Sequence, residues 1–198
     1  MSDLPDDGKP RCFWANGSVA ERDYHDAEWG VPEHDDRALF ELLTLEGAQA
    51  GLSWRTVLNK REGYRAAFHD FDITRCAKLT DAALEKRLLD PGIVRNRLKV
   101  YSVRENARAA QEAIAEFGSL DSLLWSFVNH TPILNRFAGR GDVPAKTPLS
   151  DAMSKALGKR GFRFIGSTIC YAFMQATGMT NDHLLSCFRH PEHKGPQT

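Results

Sequence analysis

A chain of 198 residues is long enough to bury a substantial core, and its 42% hydrophobic and 26% charged residues are those of an ordinary globular protein. It has no run of about 18 apolar residues to cross a membrane, and its opening MSDLPDDGKP lacks the apolar stretch of a secretory signal; a cytoplasmic protein with no membrane partner is expected. Formal net charge is zero, yet residues 1–50 hold 4 Lys and Arg against 12 Asp and Glu, leaving 22 basic and 14 acidic residues in 51–198. That basic body is compatible with a nucleic-acid face.

Residues 1–34 carry few helix signals. Asp35 then predicts a helix running to about residue 50, Ser53 one to about Phe68, and Thr80 one ending near Leu89. Asn96 opens the longest, RLKVYSVRENARAAQEAIAEF, which Gly118 terminates. Shorter helices follow over about 119–128, 150–160 and 167–177, the last stopped by Gly178, with AGRGDVPAKTP (138–148) as the clearest loop. NDHLLSC (181–187) reads as the start of one more helix. Nowhere do four alternating β-branched or aromatic residues announce a strand, so the expected fold class is all-α. Both chain ends are weak by themselves and need something to pin them.

In a reducing compartment Cys12, Cys76, Cys170 and Cys187 are not expected to form disulfides. Cys76 and Cys170 lie in helical apolar patterns and read as core filler. His183 and Cys187 stand four apart, a spacing that on a helix aims both side chains the same way. Upstream, Cys12 and His25 complete a Cys2His2 set, which would be a closed, structural zinc site joining the two chain ends. The spacing alone also fits a surface histidine beside a buried cysteine. His34, His69, His130, His190 and His193 show no paired spacing and read as structural or solvated.

Two other stretches carry chemical content. On the helix opened by Asp35 the inward positions Leu39, Leu42 and Leu43 lead at i+7 to Glu46, an acid where an apolar residue belongs. Gly47 and Gly51 point to close backbone approach and Trp54 to an aromatic wall; the competing reading is a helix that rotates and leaves Glu46 in water. In LLDPGIVRNRLKV (88–100) a tight Asp90-Pro91-Gly92 turn joins two helices ahead of Arg95 and further basic residues. That is the pattern of a DNA-backbone-binding helix-hairpin-helix, and equally that of any short interhelical turn.

Several long stretches share one likeness. YHDAEWGVPEHDDRALFELLTLEGAQAGLSWRTVLNKREGYRAAFHDFD, WSFVNH, SDAMSKALGKRGFRFIGSTICYAFMQATGM and NDHLLSC closely resemble the 3-methyladenine DNA glycosylase I family, the constitutive alkylpurine glycosylases of bacteria. The likeness spans roughly residues 10–188, nearly the whole chain. It implies a helix-hairpin-helix DNA glycosylase fold in one unit over 10–188. A helical region of about 36–130 would pack against a second formed by 10–35 and 131–188, with 1–9 and 189–198 as flexible tails. The family's single structural zinc ion would be held by Cys12, His25, His183 and Cys187. Its pocket acid falls on Glu46, its stacking tryptophan on Trp54 and its pocket tyrosine on Tyr24, with Trp14 and Trp29 lining or supporting the pocket. Gly51 and Leu52 match the segment that fills the gap left by a flipped nucleotide, and Pro91, Gly92 and Arg95 match the DNA-contacting hairpin. One position departs: Glu21 stands where a second pocket tyrosine is expected, which leaves fine lesion selectivity open.

The resemblance thus implies a monomeric repair enzyme that flips 3-methyladenine out of double-stranded DNA containing alkylated purines. It would hydrolyse the glycosidic bond and leave an abasic site without lyase activity, with 3-methylguanine open as a second substrate. Many helix-hairpin-helix glycosylases hold an Asp beyond the hairpin; here that region offers Asn129 and, nearby, Asp121. A non-enzymatic helix-hairpin-helix module would need none of Glu46, Trp54 and Tyr24. A catalytic zinc hydrolase would keep a coordination position open.

Overall fold

The computed structural model describes residues 7–193 as ten α-helices, three short 3-10 turns and one two-stranded parallel bridge. The helices are α1 (Val19–Ala27), α2 (Asp36–Gln49), α3 (Trp54–Leu58), α4 (Arg61–Ala67), α5 (Ile73–Ala77), α6 (Asp81–Arg87), α7 (Arg97–Phe117), α8 (Leu120–Trp125), α9 (Pro148–Lys159) and α10 (Ser167–Ala176). Most start where a side-chain oxygen takes an orphan backbone N–H: Asp35 from Ala38, Ser53 from Thr56, Thr80 from Ala83 and Asn96 from Lys99. Gly118, at φ 88°, ends α7 in the left-handed conformation.

Helix α2 runs through the middle of the molecule. All ten residues from Leu39 to Ala48 are buried, and α3, α7, α8 and α10 pack around it. A helix enclosed on every side has no solvent face. This is why Glu41, Thr44 and Glu46 are buried together and why the alternative of a solvated Glu46 fails. Glu41 is compensated by Arg61 and Arg65, and Arg61 also reaches Glu28 at the end of α1. Asp36, in the first turn of α2, accepts the N–H groups of Leu120 and Asp121 and so caps α8 across 84 residues of sequence.

The all-α expectation is met in the main, with four local differences. Helix α1 was unexpected; Ser18 caps it by accepting the Glu21 N–H, while its own hydroxyl donates to the Glu21 carboxylate. The helix expected from Ser53 to Phe68 breaks at Asn59 and Lys60 into α3 and α4, and the short α5 is additional. NDHLLSC forms no helix: β2 (Thr180–Asn181) pairs with β1 (Ile133–Leu134), and irregular chain over 182–184 leads into a turn over 185–187. That bridge is main-chain bonding over two residues, too short for any side-chain alternation.

Residues 1–6 and 194–198, most of the two expected tails, lie outside the described residues. The adjoining residues are tied down. Arg11 binds Asp7 and Asp26, His190 is buried against the Asn135 carbonyl, and Arg136 pairs with Glu192. Among the described residues no helix is long and apolar enough to cross a membrane.

Candidate active site and metal centre

Tyr24 on α1, Glu46 in the last turn of α2 and Trp54 in the first turn of α3 face one cavity of about 380 Å³, which Trp14, Trp29, Glu21, Gln49, Gln175 and Asp182 also line. The rings form its walls. Tyr24 and Trp54 have centroids 5.1 Å apart and Trp14 meets Trp29 edge-on at 5.2 Å. A wall of this kind offers π-faces to a flat, electron-poor guest.

Three polar atoms inside these walls lack a partner among the described residues: Tyr24 Oη, Glu46 Oε2 and Trp54 Nε1. Leaving such groups unbonded in a protein interior costs about 1–3 kcal/mol each, so together they describe a site prepared for a polar ligand. Glu46 is only 4% exposed, and burial pushes its carboxyl up to about 8. Burial first, and then Glu46, also raise the Tyr24 hydroxyl well above its ordinary range.

Asp182 lines the same cavity in the opposite condition. Its carboxylate accepts from Tyr171 Oη (2.5 Å), Asn135 Nδ2 (2.7 Å), Gln175 Nε2 (2.8 Å) and Thr180 Oγ1 (2.8 Å). It was missing from the sequence reading, as were Gln49 and Gln175. The only signal for Asp182 was its place immediately before His183.

Behind the aromatic wall Cys12, His25, His183 and Cys187 come together, all buried, with ligand atoms within 4.8 Å of one another. Cys187 Sγ lies 3.4 Å from His25 Nε2 and 3.5 Å from His183 Nδ1, and Cys12 Sγ lies 3.6 Å from His183 Nδ1. Tetrahedral Zn–S and Zn–N bonds place such atoms roughly 3.5 Å apart, so the donor set fits zinc in both chemistry and spacing. The free ring nitrogens are oriented as metal-binding imidazoles usually are: His25 Nδ1 meets Asp26 at 2.8 Å and His183 Nε2 meets the Trp29 carbonyl at 3.0 Å. The Leu184 and Arg189 N–H groups point at the Cys12 and Cys187 sulfurs. The expected i, i+4 helix plays no part in this; the turns after β2 aim His183 and Cys187. The cluster also supports the pocket, since Trp29 packs edge-on against His183 at 4.7 Å and Trp14 against His25 at 5.3 Å. Cys76 and Cys170 are buried apart from it, their thiols donating to the Phe68 and Ile165 carbonyls.

Gly51, at φ 76°, makes the sharp exit from α2, and Leu52 beyond it is 41% exposed between Glu46 and Trp54. Lys99 fixes this exit by donating to the Ala48 and Ala50 carbonyls (2.8 and 2.6 Å), two of the orphan acceptors at the helix end. Pro91, Gly92 and Arg95 do not line the cavity; they lie in the hairpin between α6 and α7. Ile93 buries there, Lys60 donates to the Pro91 carbonyl, and a Cβ on Gly63 would stand 2.2 Å from the Gly92 oxygen, so α4 and the hairpin touch backbone to backbone. Asp121 pairs with His34 and Asn129 is exposed; neither lines the cavity.

The model of the methyladenine glycosylase family matches residues 14–190. DNA-3-methyladenine glycosylase 1 of Escherichia coli is 47% identical over 184 residues, 93% of this chain and 98% of that protein. DNA-3-methyladenine glycosylase of Haemophilus influenzae is 50% identical over 179 residues, 89% of this chain and 96% of that protein. Among solved structures, a variant of 3-methyladenine DNA glycosylase I in complex with 3-methyladenine superposes with a TM-score of 0.89 at 33% identity, covering 93% of this chain and 99% of that one.

Proposed function

The chain belongs to the methyladenine glycosylase family, and from that premise we propose how its pocket serves the family's reaction. The protein removes 3-methyladenine from alkylated DNA in base-excision repair, hydrolysing the N-glycosidic bond. The observation that carries the residue-level reading is the buried Glu46 carboxyl, without a partner, among Tyr24, Trp54 and Trp14.

A damaged base must leave the stack before its glycosidic bond is accessible. An N3-methylated adenine is a cation, so the faces of Trp54 and its neighbours favour it over neutral adenine. Its charge also favours the ionised form of Glu46. The carboxyl held neutral by burial releases its proton to solvent as the cation enters, and the carboxylate then accepts from the base. When the glycosidic bond breaks, its electron pair goes to the base nitrogen and cancels the positive charge. Water adds to the sugar carbon and gives up a proton. A leaving group of this kind needs no general acid, so binding and stabilisation of the developing sugar cation suffice. None of the described residues lining the cavity is a lysine, in keeping with a monofunctional enzyme that leaves an abasic site.

The enzyme acts as a cytoplasmic monomer on double-stranded DNA. Gly51 and Leu52 occupy the gap left by the flipped nucleotide, and Pro91, Gly92 and Arg95 belong to a helix-hairpin-helix that holds the backbone. Asp90 accepts the Gly92 N–H at 2.7 Å and has to yield it to a phosphate. One structural zinc ion bound by Cys12, His25, His183 and Cys187 would join the two chain ends and take no part in chemistry. The test is incubation with N-methylated duplex DNA and identification of the free base. Wild type releases 3-methyladenine, and Glu46→Ala loses most of that release while retaining metal and fold; undiminished release would overturn the role of Glu46. Adding 3-methylguanine sites to the same assay settles lesion range.

A further inference from the structure

Glu21, where a second pocket tyrosine was expected, lines the cavity and is itself only 8% exposed. Its carboxylate accepts the Nε–H of Arg55 at 2.8 Å and the Ser18 hydroxyl at 3.0 Å, and so joins α1 to the first turn of α3. Arg55 directly follows Trp54. Its guanidinium lies over Gly17, where a Cβ would stand 2.0 Å from Nη2, and its side chain is 48% exposed. The Glu21 bond occupies Nε alone; among the described residues the two terminal amino groups of Arg55 make no hydrogen bond. A buried acid of the cavity lining therefore fixes one edge of a half-exposed arginine next to Trp54 and leaves its two terminal amino groups without a hydrogen bond among the described residues.

We propose that Arg55 binds a DNA phosphate beside the flipped nucleotide and that Glu21 is the positioning residue that aims it. The inference rests on the glycosylase reading of the pocket. Glu21 then contributes to the site through the backbone of the substrate and not through its base. In the same element, Trp54 takes the base while Arg55 takes the phosphate, so α3 grips both ends of one nucleotide.

Binding of a duplex carrying a tetrahydrofuran abasic analogue, measured over a series of salt concentrations, reads the phosphate contact. Binding of free 3-methyladenine reads the base site. Arg55→Ala is expected to reduce the slope of log K against log salt by about 1 and to leave free-base affinity within twofold. Glu21→Gln is expected to weaken duplex binding several-fold in the wild-type background and to have no effect in Arg55→Ala, because a residue that acts only through Arg55 has nothing left to aim. An unchanged slope in both Arg55→Ala and Arg55→Gln overturns the phosphate contact. A fall in free-base affinity with Glu21→Gln overturns the positioning role and makes Glu21 a base contact. Release of 3-methyladenine by the wild type is scored separately, so failure of the glycosylase reading is distinguishable from failure of this one.

Discussion

Two of the three buried carboxylates that line the cavity, Asp182 and Glu46, live in opposite conditions. Asp182 accepts four hydrogen bonds that tie the segment before His183 to α10 and to Asn135; Glu46 accepts none among the described residues. A carboxylate whose acceptor sites are filled contributes structure, and nothing is left over for a ligand. One stripped of partners costs stability in the free protein and recovers it only when something binds. The metal cluster belongs with Asp182, since each of its histidine rings has a second partner that orients it.

This contrast is broken first at the metal cluster. Cys187→Ala is expected to abolish zinc retention and to lower thermal stability most of all, because structural zinc contributes on the order of 10 kcal/mol; metal analysis and a melting curve check it. Asp182→Ala leaves four donors without their acceptor, two of them on the buried Tyr171 and Thr180, and should cost about 3–5 kcal/mol, seen as a fall in the denaturation midpoint. Glu46→Gln should behave in the opposite sense. Excision falls by on the order of a hundredfold, about 2.7 kcal/mol of transition-state stabilisation, while the melting temperature holds or rises.

The remaining test is the pH dependence. Glu46 keeps its proton in the folded chain up to about 8, whereas the ordinary carboxyl value is 4.5. The folded state therefore binds this proton more tightly than the unfolded state. Its contribution to stability is full below about pH 4.5 and declines through the window up to about pH 8, at no more than about 1.4 kcal/mol per pH unit. Chemical denaturation across that window should give a downward slope in the wild type that is absent in Glu46→Gln. Identical pH profiles would remove the distinction between the two carboxylates.

The sequence reads well wherever a local signal decides the structure. Asp35, Ser53, Thr80, Asn96 and Gly118 mark helix ends because capping is a contact between near neighbours. The Cys12, His25, His183 and Cys187 cluster is legible from residue type, and the buried Glu46 from one acid in an apolar stripe. What escapes depends on distant parts of the chain. The saturation of Asp182 needs Asn135, 47 residues away, and the Glu21–Arg55 pair spans 34. The Ser18 cap that starts α1 is an equally local signal, three residues ahead of the Glu21 N–H it accepts. The convergence of His183 with Cys187 was expected for a helical reason that proved wrong, because turns aim those two side chains.

The ligands of the metal cluster come from the two extremes of the chain, Cys12 and His183 being 171 residues apart. A ribosome adds about 5–20 residues per second, so the N-terminal half of the cluster waits on the order of ten to thirty seconds for its partners to be made. Until then His25, next to Tyr24, and the Trp29 carbonyl lack the partners that Cys187 and His183 supply. The pocket's aromatic wall is thus completed only when synthesis is nearly over. A chain cut short before residue 183 would carry Glu46 and Trp54 but lack two of the four residues that cluster behind the aromatic wall.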